Sequence, residues 1–417
     1  MILNQRGLIF RFLCNVSISF ILSLSLPALV LGGQSGELTV RSITIKGLKR
    51  TRIAAVRHII RVKKGDLWTQ EVRDLVERRL KNYGTFKNIS LTEKIEKTEV
   101  DLIIDMEDRW TLFAFPVASS GSGSSLGIGV FDRNFLGTQK TLGSIFLFKE
   151  KKPRFFVVYN DPHFLSWDWE LVTLGGYQEE RVVDFEKRRI NAGFRLRYRF
   201  NDFLSLSGGY GYADNRYEGD TILPRNGRTH TLSLELSFNR VFMDEDYSRG
   251  RSFRLSLEQE LWFSDFDMTK AIFDTEFYSR IFAHHTAAWQ NRISLSRNAP
   301  YGYAFVLGGK GGFGTIPVKG YDDNQFAPSQ VISGTFEYRI PFFTSGGFIL
   351  SAVGFLDYAF FSDTISDLFQ GENIYSFGPS LRIYLRKIAV PAFQLYGAYM
   401  PGTGRFVVGF MLGMGFR

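Results

Sequence analysis

Residues 318–326 read VKGYDDNQF and set Lys319 directly before Gly320 and Tyr321. A glycine there lets the backbone turn without a Cβ clash. The lysine offers a compact point charge that needs a carboxylate if it leaves water. Other stretches suggest chemistry less well. The five histidines, His58, His163, His230, His284 and His285, have no Ser or Asp partner by motif, and no nucleophile elbow occurs. His284 and His285 read as a solvated strand end rather than a metal site. GKGGFG at 309–314 mimics a phosphate loop, but no helix-forming stretch follows, so it reads as a strand end and turn. DNRYEGD at 214–220 is acidic yet fits no calcium-loop template. Trp167, Trp169 and Trp262 suit an interfacial belt better than a ligand-stacking platform. The reading is of a chain that is not an enzyme and holds no metal or cofactor.

Those residues need a framework. The net charge is +9, but the Lys and Arg are dispersed, which argues against nucleic acid. Arg6 and Arg11 precede an apolar run from 12 to 31, with Gly32, Gly33 and Ser35 after it. That is the layout of a secretory signal, assigned to residues 1–33. Cys14, the only cysteine, lies inside it, so the exported chain would carry no disulfide. No later apolar run is long enough for a membrane helix. An exported chain of this kind is either soluble or a transmembrane barrel.

Residues 36–110 read as a small α/β module of the order strand, helix, helix, strand, strand. Ile53, Val56, Ile59 and Ile60 recur at helical spacing, and Thr69 is a fitting N-cap for a second helix ending at Gly84. ITIKG at 43–47, KKGD at 63–66, YGTFKNISL at 83–91 and DLIIDMED at 101–108 occur in order. Together they resemble the polypeptide-transport-associated (POTRA) domain. The strand at 88–95, with Asn88, Ser90 and Glu93, is the candidate free edge. An extended client can add a strand there, while Glu93 and Lys94 discourage indiscriminate pairing.

Residues 111–417 alternate with period two. Leu232, Leu234, Leu236 and Phe238 interleave with Ser233, Glu235, Ser237 and Asn239. Ile190, Phe194 and Leu196 interleave with Arg189, Arg195 and Arg197. The persistence of this pattern predicts a closed transmembrane antiparallel β-barrel with a wet interior. About sixteen strands are expected, beginning at 124–131, 139–148 and 154–161. The eleventh is placed at 302–312, the twelfth and thirteenth at 330–340 and 347–360, and the last at 405–416. Parity turns Glu337, Arg339 and Asp357 toward the lumen.

The module followed by such a barrel resembles the BamA/TamA-type outer-membrane assembly and translocation superfamily, in a short form with a single POTRA domain. DRNFLGT at 132–138, DPHF at 161–164, EYRIP at 337–341 and GFLDYAFF at 354–361 are similar to its barrel segments. VKGY resembles its arginine-glycine-aromatic signature in the sixth extracellular loop, with Lys319 in place of arginine. The resemblance implies that this loop folds into the lumen and that its cation meets wall acids, here Asp357 with Glu337 nearby. It also implies strand addition at the periplasmic module, and a seam that opens between the first and last strands. That seam is expected to join Ser124 to Phe131 with the strand holding Gly409, Gly413, Gly415 and Phe416; its glycines give little cross-strand packing. Phe416 also resembles a barrel sorting signal. The implied partners are outer-membrane lipids, extended client polypeptides and periplasmic accessory proteins. A passive pore or lipid-export channel is the alternative.

Overall fold

The computed structural model describes residues 38–121, 123–219, 224–243, 248–282, 284–311, 314–385 and 390–412. The leader, Gly413, Gly415 and Phe416 lie outside the described residues.

The first unit holds β1 (Leu38–Lys46), α1 (Ile53–Ile60), β2 (Leu67–Trp68), α2 (Gln70–Tyr83), β3 (Phe86–Glu96) and β4 (Glu99–Asp108). Its sheet order is β2-β1-β4-β3, with β1 parallel to β4. The two-residue β2 adds one strand to the expected set. Thr69 Oγ1 accepts from the Val72 N–H at 3.3 Å and starts α2; Gly84, at φ +68°, ends it. Strand β4 buries Val100, Leu102, Ile104 and Met106 on one face against Val56, Ile59, Ile60, Val76 and Leu80 of the helices. Each such side chain contributes roughly 1.5–3 kcal/mol by leaving water.

The second unit is a closed antiparallel barrel of sixteen strands. They are β5 (Leu112–Ser119), β6 (Ser125–Phe135), β7 (Lys140–Lys149), β8 (Lys152–Asp161), β9 (Trp169–Val182), β10 (Phe185–Arg199), β11 (Leu204–Glu218) and β12 (Gly227–Met243). Strands β13 (Ser248–Glu260), β14 (Thr269–Arg280) and β15 (Thr286–Arg297) continue the wall. After a long connection come β18 (Gln330–Thr344), β19 (Phe348–Ser362), β20 (Glu372–Leu385), β21 (Val390–Met400) and β22 (Arg405–Leu412), which closes on β5. Two short strands, β16 (Val306–Leu307) and β17 (Thr315–Ile316), pair within the connection. Leu232, Leu234 and Leu236 point outward and stay about half exposed, while Glu235 is buried inside. Closure leaves the wall without the unpaired edges that hydrocarbon would penalise.

Two wall assignments are corrected. Strand β5 carries no strand signal in the sequence, because LFAFPVAS is apolar at nearly every position and does not alternate. The segment 302–312 is not a wall strand. Its alternating Tyr303, Phe305 and Leu307 are buried inside the folded connection and not turned to lipid. One strand enters and one leaves, so the count and the places of the twelfth and thirteenth strands are unchanged.

Candidate functional site

The connection 298–329 folds back on itself through bridges Leu307↔Phe326 and Gly309↔Val318. Lys319 follows the second bridge. Its Nζ lies 3.0 Å from Asp357 Oδ2 and 3.2 Å from Oδ1, and its backbone N–H donates to Oδ2 at 3.0 Å. Thr335 Oγ1 donates to Oδ1 at 2.8 Å. Thr335 and Asp357 are registered partners across β18 and β19, so loop and wall meet on one carboxylate. Asp357 is wholly buried and Lys319 is 7% exposed. The ammonium also stands 4.5 Å over the Phe355 ring, worth up to about 2 kcal/mol when desolvated. Gly320 has φ +94°, and a Cβ there would come 3.1 Å from Met400 Sδ and 3.2 Å from Ala398 Cβ, so glycine is what lets the loop reach β21. Tyr321 is buried with Val331, Phe361 and Met400.

Glu337 and Arg339 face the lumen; Glu337 lies within reach of the Lys319 charge, and its own hydrogen bonds go to two arginines. Arg339 Nε and Arg382 Nη1 each donate to Glu337 Oε2 at 2.9 Å, and Arg382 Nη2 bonds Oε1. Neither arginine touches Lys319 through any of these bonds. Arg382, on β20, leaves no local signal in the sequence, because its partner lies 45 residues away.

The structure also shows attachments that the sequence reading missed. Asn324 Nδ2 donates to Glu180 Oε2 and to the Arg181 carbonyl, both at 3.1 Å, which ties the loop to β9. Asn324 sits at φ +58°, a conformation asparagine tolerates better than most residues. Asp323 pairs with Lys149 Nζ at 2.8 Å. Lys310 Nζ donates at 3.1 Å to both Ser119 Oγ and the Ser120 carbonyl, and also to the Gly123 carbonyl. The loop thus grips the hairpin between β5 and β6. Burial pushes the Lys310 ammonium down to about 8. A local signal existed in DDNQF and in the glycines of GKGGFG, but their partners are distant in sequence.

The seam is also corrected. The last strand pairs with β5, not with 124–131: Met411 is registered with Ser119 and Leu412 with Ala118, and the Ser120 N–H donates to the Phe410 carbonyl at 3.0 Å. Ser124 and Phe131 lie one hairpin in; Phe131 belongs to β6, which pairs with β5 and β7. The described part of this register ends at Leu412. Gly409 is packed: a Cβ there would meet Tyr396 Oη at 2.4 Å and the Ser120 carbonyl at 2.7 Å.

Strand β3 pairs only with β4 and so forms an edge of the module's sheet. Asn88 sits at a register shift with φ +53°, its Nδ2 donating to Glu107 Oε1 at 3.1 Å, and Ser90 is registered with Asp105. Glu93 is not a free edge charge. It accepts from Arg73 Nη1 at 2.8 Å and Trp68 Nε1 at 2.9 Å.

The module leans on the barrel turns 136–139 and 162–168. Asn134 Nδ2 donates to Thr51 Oγ1 at 2.7 Å, Thr85 Oγ1 donates to Gln139 Oε1 at 2.8 Å, and the Arg52 N–H donates to the Gly137 carbonyl at 2.8 Å. Tyr83 Oη and His163 Nε2 are 2.7 Å apart. Burial, then the charge of Arg199, hold the His163 imidazole down to about 4, and burial pushes the Tyr83 hydroxyl up to about 12.

A family model described as the Omp85 superfamily domain matches residues 123–385. The chain belongs to the Omp85 superfamily. A POTRA model, described as a surface antigen variable number repeat, matches residues 38–109. Among solved structures, the chain is similar to BamA from Haemophilus ducreyi lacking POTRA domains 1–3, at 16% identity and TM-score 0.62, over 90% of this chain and 84% of that one. It is similar to CdiB from Acinetobacter baumannii at 13% identity and TM-score 0.64, over 90% and 74% of the two chains. CdiB from Escherichia coli matches at 10% identity and TM-score 0.55, over 93% of each chain. At these identities the likeness is one of fold. No curated protein matches in sequence. As an Omp85 barrel with a POTRA module, the chain is an outer-membrane protein of a transport and assembly family.

Proposed function

We propose that this Omp85 barrel inserts or translocates polypeptides by adding an extended client segment to β3 and parting β22 from β5. The observation that carries this reading is the seam itself, where the last strand meets β5, whose end the folded connection grips. Each backbone hydrogen bond that must break contributes about 0.5–1.5 kcal/mol, so a border strand with fewer donors parts more readily. Pro116, in β5, removes one donor from that strand. No nucleotide is needed, since the reaction exchanges one set of backbone hydrogen bonds for another. The loop fastened at Asp357, Glu180 and the β5–β6 hairpin would hold the seam shut until a client arrives.

Cysteines at Ala118 and Leu412 test this. The two are registered partners and the sole native cysteine is Cys14, so the engineered pair reports the seam cleanly. Oxidation should stop client insertion into liposomes and reduction should restore it. Full insertion by the oxidised protein would end this reading. A lipid-export reading is favoured by one observation, the apolar inner side of β5 to β9, where phenylalanines lie against glycines.

A further inference from the structure

The lumen has two unlike walls. From β9 to β15 it carries ion pairs: Arg195 Nη1 is 3.2 Å from Glu235, Arg197 Nη1 is 3.1 Å from Glu170, and Arg292 Nε is 2.6 Å from Asp274. From β5 to β9 the middle of the wall is instead apolar, bounded at one end by the Arg154–Glu180 ion pair. Register places Phe115 opposite Gly129, Phe131 opposite Gly143, and Phe156 opposite Gly176. In every one of these pairs the ring lies against the glycine. A Cβ on Gly129 would come 2.4 Å from the Phe115 ring, on Gly143 2.2 Å from Phe131, and on Gly176 2.7 Å from Phe156. Following the same register, these residues share the inner side with Arg189 and Gln178, which are opposite each other on β10 and β9.

The outer face of these strands is apolar too: Leu126 is 68% exposed and Ile128 49%. A wall that only divides lipid from water needs one greasy side. Apolar area left in water forgoes about 25 cal/mol per Å². A second greasy side, with Leu174 49% exposed on it, is therefore suited to an apolar occupant.

A cavity of about 510 Å³ runs along this wall. Phe131, Ile145, Phe156, Val158 and Leu174 line its apolar length. Arg189, Gln178 and Asn191 mark its polar end, toward the end of the barrel that holds the long connection, and Gly314 of that connection borders it. The Arg189 Nε is buried without a hydrogen-bond partner among the described residues. A mostly apolar pocket of this size with a few converging polar groups is the usual form of a small-ligand site.

We propose that this cavity binds an anionic phospholipid, with an acyl chain along the phenylalanine-tiled wall and the head phosphate at Arg189. Charge selects the head group: without the choline cation of a zwitterionic lipid, the phosphate charge is free to meet the guanidinium and its unused donor. Continuity supplies the route. Strand β5 is both the edge of the seam and the start of the tiled wall, so a lipid passing the seam from the surrounding bilayer meets Phe115 first. The site stands independently of polypeptide handling.

The test reconstitutes the full exported chain into liposomes containing phosphatidylglycerol with a diazirine on its acyl chain. Labelled residues are mapped by mass spectrometry after illumination. Lumenal Val158 and Leu174 should be labelled alongside outward Leu126. Arg189→Gln should lose lumenal label about tenfold, the equivalent of one charge-assisted hydrogen bond. Leu174→Trp, which fills the cavity, should lose it as well. Both variants should keep outer labelling and heat-modifiable gel mobility, which shows that they fold. Label confined to outward residues would overturn the proposal. So would equal lumenal labelling by a phosphatidylcholine probe, or lumenal labelling only by a diazirine-bearing client hairpin.

Discussion

Lys310 Nζ reaches 3.1 Å from Ser119 Oγ, joining the folded connection to the last residue of the strand that borders the seam. The same ammonium holds the carbonyls of Ser120 and Gly123. The loop and the seam are thus one mechanical unit. Lys310→Met keeps the stem and removes the donors. The loss of a charged hydrogen-bond set of about 1.5–3 kcal/mol would raise the open population roughly tenfold or more. The rate at which a maleimide modifies a cysteine at Leu412 scales with the open population and should rise by that factor in the Lys310→Met background. An unchanged rate would remove the loop from control of the seam.

Lys319 and Asp357 should behave as a buried pair. Removing one partner strands the other charge, at a cost of about 3–5 kcal/mol. Asp357→Ala should release the loop and open residues 298–329 to protease. Lys319→Met with Asp357→Leu should recover most of the protection, since neither charge is then left alone. Lys319→Arg tests the departure from the family signature. Its fork can engage both carboxylate oxygens, so protection should be kept or increased. Equal protease sensitivity of the Asp357→Ala single variant and the unaltered chain would rule the lock out.

The architecture was legible where one physical signal dominated. Leu232 to Phe238 alternate because one side meets lipid and the other water, and that reading gives strand, face and closure together. The parity that turns Asp357 inward is of the same kind. The first wall strand was illegible for the opposite reason. Both faces of β5 are apolar, so periodicity vanishes. The segment 302–312 misled because burial inside a folded loop and exposure to lipid select the same side chains. Lys310 and Asn324 could not be found, because hydrogen bonds to Gly123 and Glu180 span well over a hundred residues and leave no local spacing.

Strand addition at β3 predicts a local footprint. Its open edge carries the backbone groups that β4 does not use. An extended client peptide should slow amide exchange in β3, while the opposite edge at β2 stays unchanged. Protection should reach roughly tenfold per bonded amide if each new bond contributes about 1 kcal/mol or slightly more. Slowing confined to the helices α1 and α2 would place the client elsewhere.

The joint between module and barrel should depend on pH through His163. Burial, with the charges of Arg199, His58 and Arg61 and against that of Asp161, holds its pKa at about 4 against an ordinary 6.5. The docked state therefore binds fewer protons than the undocked one between these values. By linkage, docking is strongest above pH 6.5 and weakens as the pH falls toward 4, below which both states are protonated. Tyr83 Oη would then lose an acceptor at Nε2, since both ring nitrogens become donors. Spin labels at Lys81 and Asp202 should report a broader distance distribution at pH 4.5 than at pH 7.5. His163→Gln, which cannot charge, should flatten that response. A distribution that broadens equally in both proteins would assign the pH effect to another group.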